Sequence, residues 1–150
     1  MTDTNLTNNA DCACFNLRRA ARRITQFYDA ALKPAGMQAT QFSLLAMLQG
    51  IGRDGLRLGE LADHLGMDRT TLTRNLKITD REGWTETRPG EDKRARLLFL
   101  TAAGEAALDR AQPFWREAQQ NAATRLGDAG FGALLDLTRR LEPGQEAPQT

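Results

Sequence analysis

Residues 69–77, RTTLTRNLK, bring Arg69, Thr70, Thr71, Thr73, Arg74 and Lys77 into one short segment. On a helix these side chains are the cationic and hydroxyl donors that meet base edges and phosphates in a major groove. A second charged run, RPGEDKRAR at 88–96, sets Arg88, Glu91, Asp92, Lys93, Arg94 and Arg96 around a turn. Its acids partly cancel its cations. The pattern gives Asp92 the task of holding Arg94 or the hairpin backbone, while Arg94 enters a narrow minor groove whose negative potential favours guanidinium. The competing reading of both runs is a solvated surface whose ion pairs contribute little.

Other chemistry is sparse. Cys12 and Cys14 stand in a C-x-C arrangement with one histidine, His64, far along the chain. These are too few soft ligands for a structural zinc site, and neither a metal nor a cofactor is expected. An enzyme would have to pair one of these thiols with His64, yet no glycine-rich phosphate loop or orienting acid completes such a site. Cys14 falls on an apolar helix face and Cys12 does not, which predicts one buried and one exposed thiol.

The elements that must carry these groups follow from periodicity and punctuation. From Ala13 to Lys33, Cys14, Leu17, Ala21, Ile24, Tyr28 and Ala31 recur three, four, three, four and three apart, one continuous apolar seam on a long helix. Arg18, Arg19, Arg22 and Arg23 share that helix, and Pro34 with Gly36 closes it. A second helix starts at Gln38 or Thr40 and runs to about Gln49 on Phe42, Leu45, Ala46 and Leu48. Gly50, Gly52 and Gly55 mark a loop. Leu58, Leu61, Ala62 and Leu65 then form a short helical face, interrupted by Gly66. Asp68 caps a following helix with Leu72 and Leu76 inward, and Gly83 ends it. Two short helices about a glycine turn make a helix-turn-helix.

After Gly83, WTETR and ARLLFL read as two strands of a hairpin around PGEDKR. Thr101 caps a long helix to about Leu126, with Leu108, Ala111, Trp115, Ala118, Ala122 and Leu126 on one side and a kink expected at Pro113. Asp128 opens a last helix on Leu134, Leu135, Leu137 and Leu141. Polar ends, with Pro143 and Pro148 near the C-terminus, read as tails. There is no internal repeat.

In this order the motifs resemble the multiple-antibiotic-resistance-regulator (MarR) family of winged-helix transcription factors. The most specific piece is the D-x-R and L-T-x-x-G pattern of Asp92, Arg94, Leu100, Thr101 and Gly104. Q-F-S-L-L at 41–45, L-x-x-L-A-x-x-L-G at 58–66 (read with Leu58, Leu61, Ala62 and Leu65), T-L-T-R-x-L at 71–76 and A-Q-P-F-W-R-E-A-Q at 111–119 support it. Thr79 stands where the family usually has a leucine, and WTETR is more polar than the usual first hairpin strand. The resemblance covers nearly the whole chain outside its tails.

It implies a mainly α fold, in which a winged helix-turn-helix lobe joins a helical dimerisation region formed by the N- and C-terminal helices. The division is a flexible tail at 1–12, a dimerisation helix at 13–36, a DNA-binding lobe at 37–100, dimerisation helices at 101–142 and a flexible tail at 143–150. It also implies a homodimer on a double-stranded, pseudo-palindromic operator, acting as a repressor. A small effector, often an aromatic acid, would sit between the dimerisation helices and the lobe. Arg18 or Arg22 could pair with such a carboxylate. A thiol sensor built on Cys12 and Cys14, as in some relatives, is the alternative, and a winged helix that binds only protein is a remoter one.

Composition sets wide bounds. A net charge of +1 over 150 residues neither favours nor excludes nucleic acid, because a local patch suffices. The opening MTDTNLTNNAD has no secretory pattern and no apolar run approaches the roughly 18 residues of a membrane span, so a soluble cytoplasmic protein is expected.

Overall fold

The computed structural model describes residues 9–92, 95–142 and 144. The tails expected at 1–12 and 143–150 therefore fall mostly outside the described residues. Asn9–Asp11, assigned to the first tail, forms a 3-10 turn. Asn16 Nδ2 ties it to the next helix through the Ala10 carbonyl at 2.5 Å.

Among the described residues five α-helices and three short strands follow: α1 (Ala13–Leu32), α2 (Ala39–Ile51), β1 (Leu56–Arg57), α3 (Leu58–Leu65), α4 (Arg69–Arg81), β2 (Thr85–Pro89), β3 (Arg96–Leu100) and α5 (Ala102–Arg140). The chain divides into two units between Trp115 and Arg116.

In the first unit, α1 stops where Pro34 enters the next turn and Gly36 takes a left-handed conformation, φ 67°. α2 begins after Gln38, whose amide donates to Gln41 Oε1 at 2.9 Å. The Asp29 carboxylate of α1 accepts the Ala39 amide at 2.7 Å, satisfying another donor in that first turn. Phe42, Leu45 and Leu48 are buried as their spacing predicts, joined by Leu44 and Gln41. They pack with Leu32, Leu61, Leu72, Leu76, Leu98 and Leu108 in one core. Trp115 stacks on Phe42, ring centroids 5.4 Å apart and planes 10° from parallel.

The hairpin acquires a third strand that periodicity misses. β1 pairs with β3, Leu56 opposite Leu98 and Arg57 opposite Leu97, giving the order β1-β3-β2. Two residues are too few to show an alternation. Its entry is Gly55 at φ 67°, where a Cβ would lie 2.7 Å from the Phe99 ring. On the other edge Thr85 opposes Leu100 and Pro89 opposes Arg96.

The helix-turn-helix forms as its caps dictate. Glu60 Oε2 accepts the Arg57 amide at 2.9 Å ahead of α3. Gly66 ends it at φ 61°, while the Met67 amide reaches the Ala62 carbonyl at 2.9 Å. Gly83 turns the chain out of α4 at φ 72°.

Two expectations change in detail. The break in the C-terminal helix lies at Gly127 (φ 67°, ψ 166°), between the end expected near Leu126 and the start expected at Asp128, while Pro113 stays within helical backbone angles. Proline's fixed φ suits a helix; the ring removes one donor and crowds the carbonyl four residues earlier, effects that bend a helix without taking its dihedrals out of the helical range. The α1 seam is the larger correction: Leu17 and Ile24 are exposed, and Cys14, expected to be buried, is exposed like Cys12. Tyr28 and Ala31 at the other end are half-buried. Among the described residues nothing buries the first half of this face. In the second unit Leu126, Leu134, Leu135, Leu137 and Leu141 are likewise exposed, Leu141 to 64%.

Candidate nucleic-acid interface

α4 owes its start to Asp68. Its Oδ1 accepts the Thr71 amide at 2.9 Å and its Oδ2 the Thr71 hydroxyl at 2.6 Å. These bonds, the hydroxyl's first, hold the Asp68 carboxyl below the usual carboxylate range. One face of the helix, Leu72, Leu76 and Thr79, is buried. The opposite face presents Arg69, Thr70, Thr73, Arg74 and Lys77, which line an open groove of about 360 Å³. Among the described residues no carboxylate pairs with Arg69, Arg74 or Lys77. Arg69 is accommodated by Gly59 on α3, where a Cβ would lie 3.1 Å from Arg69 Nη2.

The three threonines of this segment differ in what their hydroxyls do. Thr71 is half-buried, occupied by the cap, and absent from the groove lining. Thr73 donates to the Arg69 carbonyl at 2.7 Å and is part of the groove lining. Thr70 is exposed beside Arg69 and Arg74.

The far end of α4 is fastened to the hairpin by groups that periodicity does not single out. The Thr85 hydroxyl of β2 donates to Asp80 Oδ1. Its oxygen is left to accept from Thr79, whose one proton is shared between Thr85 Oγ1 at 2.8 Å and the Leu76 carbonyl at 3.1 Å. Thr79 is fully buried. A polar residue at this core position is therefore satisfied internally, which answers the departure noted in the sequence.

On the hairpin, Arg88 is ion-paired with Glu86 and lies over the Phe99 ring, 4.9 Å from its centroid. Arg96 is exposed on the neighbouring strand. The turn closes through Gly90 donating to the Ala95 carbonyl at 2.7 Å and Ala95 donating to the Asp92 carbonyl at 2.8 Å. The Asp92 contact in this turn is made by its main-chain carbonyl. Lys93 and Arg94 lie outside the described residues.

Elsewhere, Arg18 and Arg22 are exposed one turn apart on α1, and Cys12 and Cys14 stand exposed at its start. His64 is exposed in the last turn of α3. No group of three or more metal-binding side chains gathers among the described residues, and none of their helices is long and apolar enough to cross a membrane.

Comparison with known proteins agrees with this arrangement. A model described as the MarR family matches residues 35–95. An uncharacterized HTH-type transcriptional regulator of Bacillus subtilis (strain 168), YwoH, is 34% identical over 89 residues, which is 59% of this chain and 64% of that protein, so the match spans less than two thirds of that relative. The crystal structure of the M. tuberculosis transcriptional regulator MosR superposes with a TM-score of 0.77 at 40% identity, covering 87% of this chain and 96% of that one. The same regulator in complex with DNA superposes with a TM-score of 0.70 at 40% identity, covering 85% and 98%.

Proposed function

The chain belongs to the MarR family of DNA-binding transcriptional regulators, which are not enzymes, and from that premise we propose that it is a cytoplasmic homodimeric repressor released from its operator by a small ligand. The observation that carries the DNA-binding part is the groove on α4. Among the described residues Arg69, Arg74 and Lys77 have no carboxylate partner there, on the helix of a helix-turn-helix that docks by its N-terminal residues. Arg69 and Arg74 take base edges or phosphates there, Thr70 and Thr73 add hydroxyl and methyl contacts, and Lys77 takes a phosphate.

The hairpin is the wing. Arg94 is assigned to the minor groove, Lys93 and Arg96 to phosphates, Asp92 to shaping the turn, and Arg88 to a backbone contact made from its seat on Phe99. Arg94→Ala is expected to weaken binding by roughly 1 to 3 kcal/mol.

Dimerisation rests on the faces that one chain leaves open. Leu17 and Ile24 of α1, and Leu134, Leu135, Leu137 and Leu141 of the second unit, are large apolar side chains at helical spacing in water. They support a division in which residues 13–36 and 101–142 form the dimer region and 37–100 the lobe. Two-fold symmetry then gives an operator with half-sites about 10 base pairs apart, or a multiple. A stable monomer at micromolar concentration in analytical ultracentrifugation would remove this part. Selecting duplexes from a random pool tests the DNA-binding reading, and recovery of no preferred sequence would defeat it. The effector is an aromatic carboxylate held by Arg18 or Arg22; equal calorimetric affinity in wild type and Arg18→Ala would exclude Arg18.

A second reading of the release step is favoured by one observation: both thiols are exposed at the start of α1, two residues apart. Oxidation at Cys12 and Cys14 would then act on the dimer face. Peroxide should weaken DNA binding reversibly in wild type and not in Cys→Ser variants.

A further inference from the structure

One flank of α4 is neither the exposed groove nor the buried core. Thr71, Asn75 and Ile78 are half-buried there, and Asn75 is bonded on both sides of its amide. Its Nδ2 donates to the Thr71 carbonyl at 3.0 Å, and its Oδ1 accepts the Thr40 hydroxyl of α2 at 3.3 Å. The two bonds fix which way the amide points. Thr40 follows Ala39, whose amide donates to the Asp29 carboxylate of α1 at 2.7 Å. At the other end Thr71 donates its hydroxyl to Asp68, the cap beside Arg69 and Thr70.

A continuous polar line thus runs from α1, through the first turn of α2, to the end of α4 that carries the groove. Apolar packing of Leu72 and Leu76 sets which face of α4 is buried and how deeply it sits, but the attraction itself is non-directional. Hydrogen bonds to a neighbouring helix are directional and set the register. We infer that Asp29, Thr40 and Asn75 are positioning residues that hold the rotation and slide of the DNA-reading helix in register with α1. The inference rests on the reading of this chain as a DNA-binding dimer in which α1 belongs to the dimer region. In that setting, error in the placement of α4 changes the separation of the two reading helices. It leaves each helix's own contacts intact.

Thr40→Val keeps the shape of the side chain and removes the donor, and Thr40→Ser keeps the donor. The affinities of wild type, both variants and Asp29→Ala are measured by fluorescence anisotropy. Two duplexes are used: the selected operator with both half-sites, and a duplex carrying one half-site. A spacing series with one or two base pairs inserted between half-sites accompanies them. Thr40→Val is expected to bind the full operator roughly threefold to tenfold more weakly, the scale of one net hydrogen bond, to bind the single half-site as wild type does, and to discriminate less between spacings. Thr40→Ser should restore the wild-type pattern, and Asp29→Ala, altered on a different helix, should reproduce that of Thr40→Val. Equal binding by Thr40→Val and wild type on both duplexes, or an equal loss on both, overturns the positioning role. Wild type that binds no duplex, or shows no spacing preference, overturns the dimeric DNA-binding reading itself. Thermal midpoints measured alongside separate unfolding from mispositioning, and the two variants on different helices keep the test decisive should one fail to fold.

Discussion

The Thr101 hydroxyl donates to the Gly83 carbonyl at 2.6 Å, and its oxygen accepts the Gly104 amide at 3.0 Å. One side chain therefore caps α5 and fastens it to the glycine turn that ends the DNA-reading helix. The Thr101 amide adds a bond to the Trp84 carbonyl at 3.0 Å. Thr101→Val should cost about 1 to 2 kcal/mol, the scale of a lost cap, and Thr101→Ser should recover most of it. Urea unfolding of the three proteins measures the difference.

Gly104 is set by a close approach. A Cβ there would lie 2.1 Å from the Trp84 carbonyl oxygen and 2.6 Å from Leu100 Cδ1. The carbonyl is backbone and already accepts from Thr101, so relief requires moving α5 away from Trp84, at the entry to β2. Gly104→Ala should destabilise by about 3 kcal/mol or more, at the high end of overpacking. A thermal midpoint equal to wild type would show that the helix moves freely.

Thr79 is a buried hydroxyl whose partners come from α4 and β2. Thr79→Val preserves volume but leaves the Thr85 oxygen with one donor fewer. The expected cost is about 1 to 2 kcal/mol. Thr79→Leu removes the same bond and adds volume, so it should cost more in the same denaturation assay.

Asp68 carries a pH dependence whose sign follows from its bonds. Thr71 stabilises the charged carboxylate and lowers its folded pKa. The stabilisation is therefore fully present above the ordinary carboxylate value, about 4, and is lost as the pH falls through the lower folded value. In the Asp68→Asn variant the midpoint of unfolding should fall less between pH 5 and 3 (roughly the window of carboxylate titration) than in wild type. Parallel curves for the two proteins would remove Asp68 as the source.

The features legible in the sequence are those governed by neighbours along the chain. Asp68, Gly66, Gly83 and Thr101 announce helix ends because a cap needs only three or four residues to act. Leu72 and Leu76 announce a buried face for the same reason. β1 is silent because its two residues are defined by β3, some 40 positions later. The Thr79–Thr85–Asp80 cluster and the contact of Asn75 with Thr40 are tertiary, so their residue types show only as polar interruptions. Cys14 departs from its expected burial for a different reason. Its periodicity correctly puts it on an apolar face, but periodicity does not say whether that face is covered within one chain.

The most direct test of the central claim, that the groove on α4 reads DNA, is the salt dependence of binding to the selected duplex, measured by fluorescence anisotropy for wild type, Arg69→Ala, Arg74→Ala and Lys77→Ala. Wild type should show a steep linear fall of log affinity with log salt, by counterion release. Lys77→Ala should weaken binding evenly across sequences and reduce the slope by about one contact, whereas one of the arginine variants should also relax sequence preference, at roughly 1 to 3 kcal/mol for a base contact. Binding that is independent of salt, or three variants indistinguishable from wild type in affinity and slope, would contradict it.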